Sequence, residues 1–274
     1  MVIRKLGFSV SFNVKNTSWN EGETPIGYDY VELVAGYQAN ENDEVRKKTL
    51  KQYTNDFDHA HRDKLKVWSI HLPYGKDLDL SADSHRSNEI LNNFAWYIDN
   101  TISMGPAYYV VHSSMEPIDI KDREKLLNNA RNNIERLADY ITDKGATLAV
   151  ECLPRTCLGN TSSECLQLIL GTKAVLCFDV NHMLLQNHGD FMKKVHKYVK
   201  TVHLSDYDFM DEKHWIPGDG QLNWTELMHL LDEYGYKGPM IFEVKTNKVG
   251  GQISLAELRD SFYKAIENGG EQLC

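Results

Sequence analysis

Residues 175–183 read VLCFDVNHM. Four apolar residues, in the style of a strand buried on both faces, run directly into a carboxylate at Asp179, and an imidazole follows three positions later at His182. A buried strand that ends on ionisable groups is the pattern of a parallel sheet whose C-terminal edge carries the chemistry. Seven further runs share the design: KLGFSV (5–10), YVELV (30–34), KVWSIHLP (66–73), YYVVHSS (108–114), TLAVECL (147–153), TVHLSD (201–206) and MIFEV (240–244). Polar segments with helical spacing separate them. In one of these segments Leu126, Leu127, Ala130, Ile134, Leu137, Ala138 and Ile141 follow a stripe of period 3.6. Gly145 suits a helix C-terminus, and Asn223, with Glu226 three residues on, suits an N-cap. Eight such strands alternating with helices predict an α/β fold, a (β/α)8 TIM barrel of eight parallel strands with its site at the C-terminal face, spanning 1–274 as a single domain. An open doubly wound sheet is the alternative, but no glycine-rich dinucleotide fingerprint follows the first strand. The first connection (11–29) has poor helical character, so the first helix is expected to be missing or very short.

Four neighbouring strands place an ionisable residue at the same height: Glu151 on the fifth, Asp179 on the sixth, His203 on the seventh and Glu243 on the eighth. Asp and Glu number 39 and His 11 in 274 residues, so chance fills four chosen positions about once in a thousand. A lone acid at a strand end is ordinarily a capping or salt-bridged group, but four converging on one point are not four independent accidents. Three carboxylates and an imidazole in a barrel mouth repel and are costly to desolvate unless a cation lies between them. A divalent metal is the simplest remedy. Three oxygen donors and one nitrogen favour Mn2+, Mg2+ or Co2+, and Zn2+ is also compatible. His71 and His112 occupy strands three and four at equivalent height, His182 lies just past strand six, and His214 sits in HWIPGDG (214–220). These four are candidate substrate-binding residues, each with a core or loop role as the plain alternative. Trp68, Trp215, Tyr74 and Phe178 are candidate pocket walls, with core packing again the plainer role. His59, His61, His85, His188, His196 and His229 are assigned to the surface.

The formal net charge of −9 with pI near 5.7 supplies no global attraction to nucleic acid or an anionic membrane. No apolar run approaches the ~18 residues of a membrane span, and Met1–Val10 lacks a signal-peptide core. Five cysteines (Cys152, Cys157, Cys165, Cys177, Cys274) form no C-x-x-C pair, which fits a reducing compartment and a cytoplasmic protein acting on a small molecule.

Glu151 in AVECLP, Asp179 and His182 in FDVNH, His203 in VHLSD, the PGDG loop and Glu243 in FEV together resemble the xylose isomerase-like barrel superfamily of sugar and sugar-phosphate isomerases and epimerases. The resemblance covers nearly the whole chain. In the ketose 3-epimerases of that superfamily a Glu, Asp, His, Glu set on strands five to eight holds one divalent metal, and the two glutamates exchange the proton. The resemblance therefore implies Glu151, Asp179, His203 and Glu243 as ligands, Glu151 and Glu243 as the catalytic pair acting through an enediolate, and His182 as a substrate contact. Two marks of that epimerase group are missing: RTCLGN (155–160) holds no second Glu, and DYDFMDEK (206–213) holds no Arg. The same superfamily contains the endonuclease IV enzymes, which hydrolyse abasic DNA with a zinc cluster. His71, His112, Glu151, Asp179, His182, His203 and Glu243, with Glu212-Lys213-His214 near that family's Asp-x-His, resemble its ligand pattern as well. The acidic chain, without an obvious basic and aromatic DNA grip, ranks that reading second. Dehydratases and lyases of the superfamily share the enolate chemistry, and a non-catalytic sugar-binding barrel is the reading from another class.

Overall fold

A computed structural model describes residues 4–10 and 22–271, the side chains of 268–271 excepted. Eight strands, β1 (Leu6–Val10), β2 (Tyr30–Val34), β3 (Lys66–His71), β4 (Tyr108–Val111), β5 (Thr147–Glu151), β6 (Val175–Asp179), β7 (Val199–Leu204) and β8 (Met240–Phe242), close into a barrel in chain order. Every pairing is parallel, and β1 meets β8 through Leu6↔Met240, Gly7↔Ile241 and Phe8↔Phe242. The sequence-predicted barrel is therefore the observed one. Helices α1 (Asp43–Arg62), α2 (Ser84–Thr101), α3 (Arg123–Thr142), α4 (Ser162–Ile169), α5 (His188–Val195), α6 (Trp224–Glu233) and α7 (Leu255–Glu271) follow β2 to β8 in turn. The expected short or missing first helix falls on a connection of which residues 11–21 lie outside the described residues; 22–29 run as turns and irregular chain, without a helix.

The two faces of each strand do different work, because side chains alternate across it. On β5, Leu148 and Val150 point outward to the helices, while Ala149 and Glu151 point into the barrel. The α3 stripe supplies the facing surface: Ala130, Ile134, Leu137, Ala138 and Ile141 are all buried. Inside the barrel Val110, Ala149 and Cys177 pack together with Tyr108 and Val175 against them. Trp68 lies at the N-terminal end, edge-on to Tyr30 at 5.3 Å and tilted on Tyr108 at 5.2 Å, with its Nε1 donating to Thr201 Oγ1 at 3.1 Å. The barrel is thus plugged with apolar and aromatic side chains below and left polar above.

The ladder is shorter at the mouth than the apolar runs suggested. β4 stops one residue before His112 and β8 one before Glu243. The pairing itself runs one residue further there, the Glu243 amide donating to the Leu204 carbonyl at 3.0 Å. Asn223 caps α6, its Oδ1 accepting from the Glu226 amide at 3.1 Å, as its position predicted. Among the described residues no helix is long and apolar enough to cross a membrane.

Candidate active site

The inward faces of β5, β6 and β7 and the first residue past β8 bring Glu151, Asp179, His203 and Glu243 together. One donor atom from each lies within 4.8 Å of all the others. His203 Nδ1 is the common neighbour, 3.2 Å from Glu151 Oε1, 3.1 Å from Glu243 Oε2 and 3.9 Å from Asp179 Oδ2. Asp179 and His203 are wholly buried. They form the floor, while Glu151 and Glu243 rise from it to line a pocket of about 180 Å3.

His71, His112, His182 and His214 line the same pocket. His71 Nε2 and His112 Nε2 both approach Glu151 Oε2, at 3.0 and 3.1 Å. His182 Nε2 faces Glu212 Oε1 at 3.0 Å and Asp179 Oδ2 at 3.5 Å. Two further groups with the spacing of metal ligands result: His71, His112 and Glu151, and His182, Glu212 and His214. The other ring nitrogens are committed elsewhere. His71 Nδ1 meets the Leu72 carbonyl at 2.9 Å, His182 Nδ1 the Cys152 carbonyl at 2.8 Å and His214 Nδ1 the Glu243 carbonyl at 3.0 Å. A carbonyl only accepts, so in each ring the nitrogen facing away from the site carries a proton, and the site-facing nitrogen offers a lone pair whenever the ring is neutral, the form burial and Lys245 favour for His214. That is the disposition of a metal-binding or hydroxyl-accepting histidine.

His214 reaches the site because its loop is pinned. Asp206, just past β7 and fully buried, accepts from the amides of Tyr207 (2.8 Å), Gly218 (2.8 Å) and Leu222 (3.1 Å) and from Trp224 Nε1 (2.9 Å). Gly218 adopts φ 91°, and a Cβ on Gly220 would lie 2.2 Å from Asp206 Oδ1, so both positions of PGDG require glycine. His214 itself sits at φ 50°, a left-handed conformation that costs energy for a side chain of this size and that the pinned loop imposes.

The charges are mutually supporting but incomplete. Burial works to raise the Glu151 carboxyl; the His203 charge and hydrogen bonds from His112, His203 and His71 reverse this and hold it well below the usual range. Glu243 is likewise held low, burial being overcome by His214 and His203. Burial disfavours charge on His182, but Asp179, Glu212 and Glu151 outweigh it and push its pKa up to about 10. Burial and the Lys245 charge take His214 down to about 4. Asp179 is the exception: burial, reinforced by Glu243 and Glu151 against His182, drives its pKa well above the ordinary value. Its Oδ2 has no hydrogen-bond partner. A buried carboxylate oxygen without a donor, beside two further carboxylates and a histidine nitrogen, fits a divalent cation.

Several sequence assignments are corrected by the packing. Of the four aromatics proposed as walls only Tyr74 lines the pocket, ring-stacked on His112 at 4.2 Å. Phe178 has the outward parity on β6 and stacks on Phe191, Trp68 lies at the other end of the barrel, and Trp215 is engaged in bridges to Asp206 and Thr246. His188, assigned to the surface, is half-buried, its Nε2 within 3.0 Å of the Val180 carbonyl and 3.2 Å of Tyr207 Oη. His59 and His196 are also half-buried. Two residues not singled out from the sequence belong to the site. Glu32 on β2 touches His203 Nε2 at 3.0 Å. Arg155, in the connection after β5, pairs with Glu116, Asp211 and Glu212 and so ties three loops across the mouth.

The fold is a parallel eight-stranded (β/α)8 barrel with a cluster of carboxylates and histidines at the C-terminal ends of its strands. The chain matches the xylose isomerase-like TIM barrel family over residues 25–264, and it belongs to that family. It is 26% identical over 208 residues to an uncharacterized protein of Methanocaldococcus jannaschii, covering 72% of this chain and 70% of that one. It is 23% identical over 172 residues to a fructoselysine 3-epimerase of Shigella flexneri, spanning 60% of this chain and 62% of the epimerase. Among solved structures, a D-tagatose 3-epimerase-like protein superposes with a TM-score of 0.73 at 20% identity, covering 98% of this chain and all of the other. The IOLI protein, solved with a zinc atom, superposes with a TM-score of 0.74 at 16% identity, covering 98% of each chain.

Proposed function

We propose that the protein is a divalent-metal-dependent isomerase or epimerase of a small sugar, free, phosphorylated or cyclic. The observation that carries this reading is the pair Glu151 and Glu243, which flank one histidine nitrogen from β5 and from the residue after β8, above Asp179. Glu151, Asp179, His203 and Glu243 would hold Mn2+, Mg2+, Co2+ or Zn2+, which would supply positive charge for an oxyanion formed when a proton leaves the adjacent carbon. The chain's own groups do the rest. Either glutamate removes that proton, and the other returns one from the far side in an epimerase. His71, His112, His182 and His214 present ring nitrogens to substrate hydroxyls. Tyr74 and the Arg155 tether exclude water from above.

A second reading is kept because a specific observation favours it. The three ligand groups suit a zinc cluster that hydrolyses a phosphodiester, as in abasic-site endonucleases. Against it stand the net charge of −9 and the acidic rim of Glu116, Asp211 and Glu212, which repel a phosphate backbone. Metal-loaded protein incubated in D2O with free ketoses, ketose phosphates and cyclitols tests the first reading. Solvent deuterium at the carbon next to the carbonyl, or a new epimer or isomer, is expected. Three tightly held zinc ions per chain together with incision of abasic duplex, and no reaction with any sugar, would replace it with the second.

A further inference from the structure

Glu32 lies in the middle of β2, wholly buried, where a barrel interior ordinarily holds a branched aliphatic side chain. Three strands supply its partners. Ser9 Oγ on β1 donates to Oε1 at 2.9 Å, Ser69 Oγ on β3 donates to Oε2 at 2.6 Å, and His203 Nε2 on β7 meets Oε2 at 3.0 Å. An isolated buried carboxylate is costly, and hydrophobic replacements of buried ion pairs are frequently neutral or stabilising. The arrangement is therefore poorly explained by fold stability alone.

We propose that Glu32 is a positioning residue for metal uptake: it holds the Nε2 proton of His203 and so fixes the ring with the Nδ1 lone pair aimed between Glu151, Asp179 and Glu243. Both Glu32 oxygens already accept from serine hydroxyls, so the Nε2 that faces Oε2 is the donor, and the lone pair left for a metal is that of Nδ1 once any proton there has gone. The other inward-facing histidines with an assigned back contact, His71, His182 and His214, lean on backbone carbonyls. His203 leans on a carboxylate side chain instead, the kind of partner that raises the basicity of a ligand nitrogen. The inference rests on the metal-site reading above and assigns the back of that site to residues on β1, β2 and β3.

Glu32→Gln keeps the volume and an oxygen for the Nε2 proton but removes the charge; Ser69→Ala keeps the charge and loosens its grip. Calorimetric titration with Mn2+ and Zn2+ should show binding weakened about 10- to 100-fold in Glu32→Gln, in the range found for residues supporting a ligand, and less in Ser69→Ala. Thermal unfolding of the metal-free proteins, run alongside, separates this from a folding defect. Wild-type protein loaded with Zn2+ should show His203 protonated on Nε2 and metallated on Nδ1 in 15N–1H spectra, a readout that needs no variant to fold. Glu32→Gln binding within twofold of wild type, or His203 metallated through Nε2, would overturn the proposal. A wild type that takes up no metal would instead remove the metal-site reading, and this inference with it.

Discussion

Replacing Asp179 by Asn should stabilise the metal-free protein while removing most of the stability it gains from metal. Asp179 Oδ1 accepts from the Asn181 amide at 2.7 Å, but Oδ2 has no donor, and the nearest cationic nitrogens, His182 Nε2 and His203 Nδ1, are 3.5 and 3.9 Å away. Its raised pKa means that the folded protein holds a proton which the unfolded chain releases near pH 4. Stability therefore falls as pH rises above that value, until the folded carboxyl itself titrates. Asn reproduces the protonated shape at every pH. A buried polar atom left unsatisfied costs about 1–3 kcal/mol, so the variant should gain that much at pH 7.5, which for a protein of this size is on the order of 2–5 °C in Tm. Metal acts in the opposite sense: at a thousand times Kd it should stabilise wild type by about 4 kcal/mol, and the variant, with one neutral oxygen in place of a carboxylate, by far less. Scanning calorimetry of both proteins, with and without Mn2+, at pH 7.5 and pH 4.5, measures all of these terms. A metal-free variant less stable than wild type, with an undiminished metal increment, would refute the claim that Asp179 is held strained for a cation.

Glu151→Gln and Glu243→Gln should each lower turnover of an identified substrate by at least ~100-fold while metal binding weakens modestly; for an epimerase, deuterium wash-in measured by NMR should label opposite epimers in the two variants. Metal uptake should release protons and weaken as pH falls, because burial disfavours charge on His203 but Cys177, Glu32 and Glu151 outweigh it and hold its pKa well above the ordinary value, so its Nδ1 proton must leave; titration in buffers of different ionisation enthalpy counts those protons. Asp56, buried on α1 and partnered among the described residues by Gln52, is pushed by burial to about 6, so it binds a proton between pH 4 and 6 that the unfolded chain has lost. Asp56→Asn should accordingly raise stability at pH 7 by up to about 3 kcal/mol and leave it unchanged below pH 4, as urea unfolding across that range will show.

The barrel was legible because parallel strands buried on both faces produce apolar runs that few other folds require, and because the ionisable residue ending each run has inward parity on β5, β6 and β7. The same parity explains the misreadings. Phe178 adjoins Asp179 and so faces the helices, and Trp68 lies too low on β3 to reach the mouth. Glu32 escaped notice because a charge in the middle of YVELV carries no local mark. Only closure of the barrel, with β1 and β3 flanking β2 and β7 reaching across the interior, gives it Ser9, Ser69 and His203 as partners. The Arg155 tether joins residues 39, 56 and 57 positions apart in sequence, which no spacing rule connects.

Anomalous diffraction from crystals soaked in Mn2+ addresses the metal centre most directly. The account predicts a peak enclosed by Glu151, Asp179, His203 Nδ1 and Glu243, about 2.0–2.2 Å from each donor. Fully active crystals with no ion between these four side chains, or with manganese held only by other residues, would contradict it.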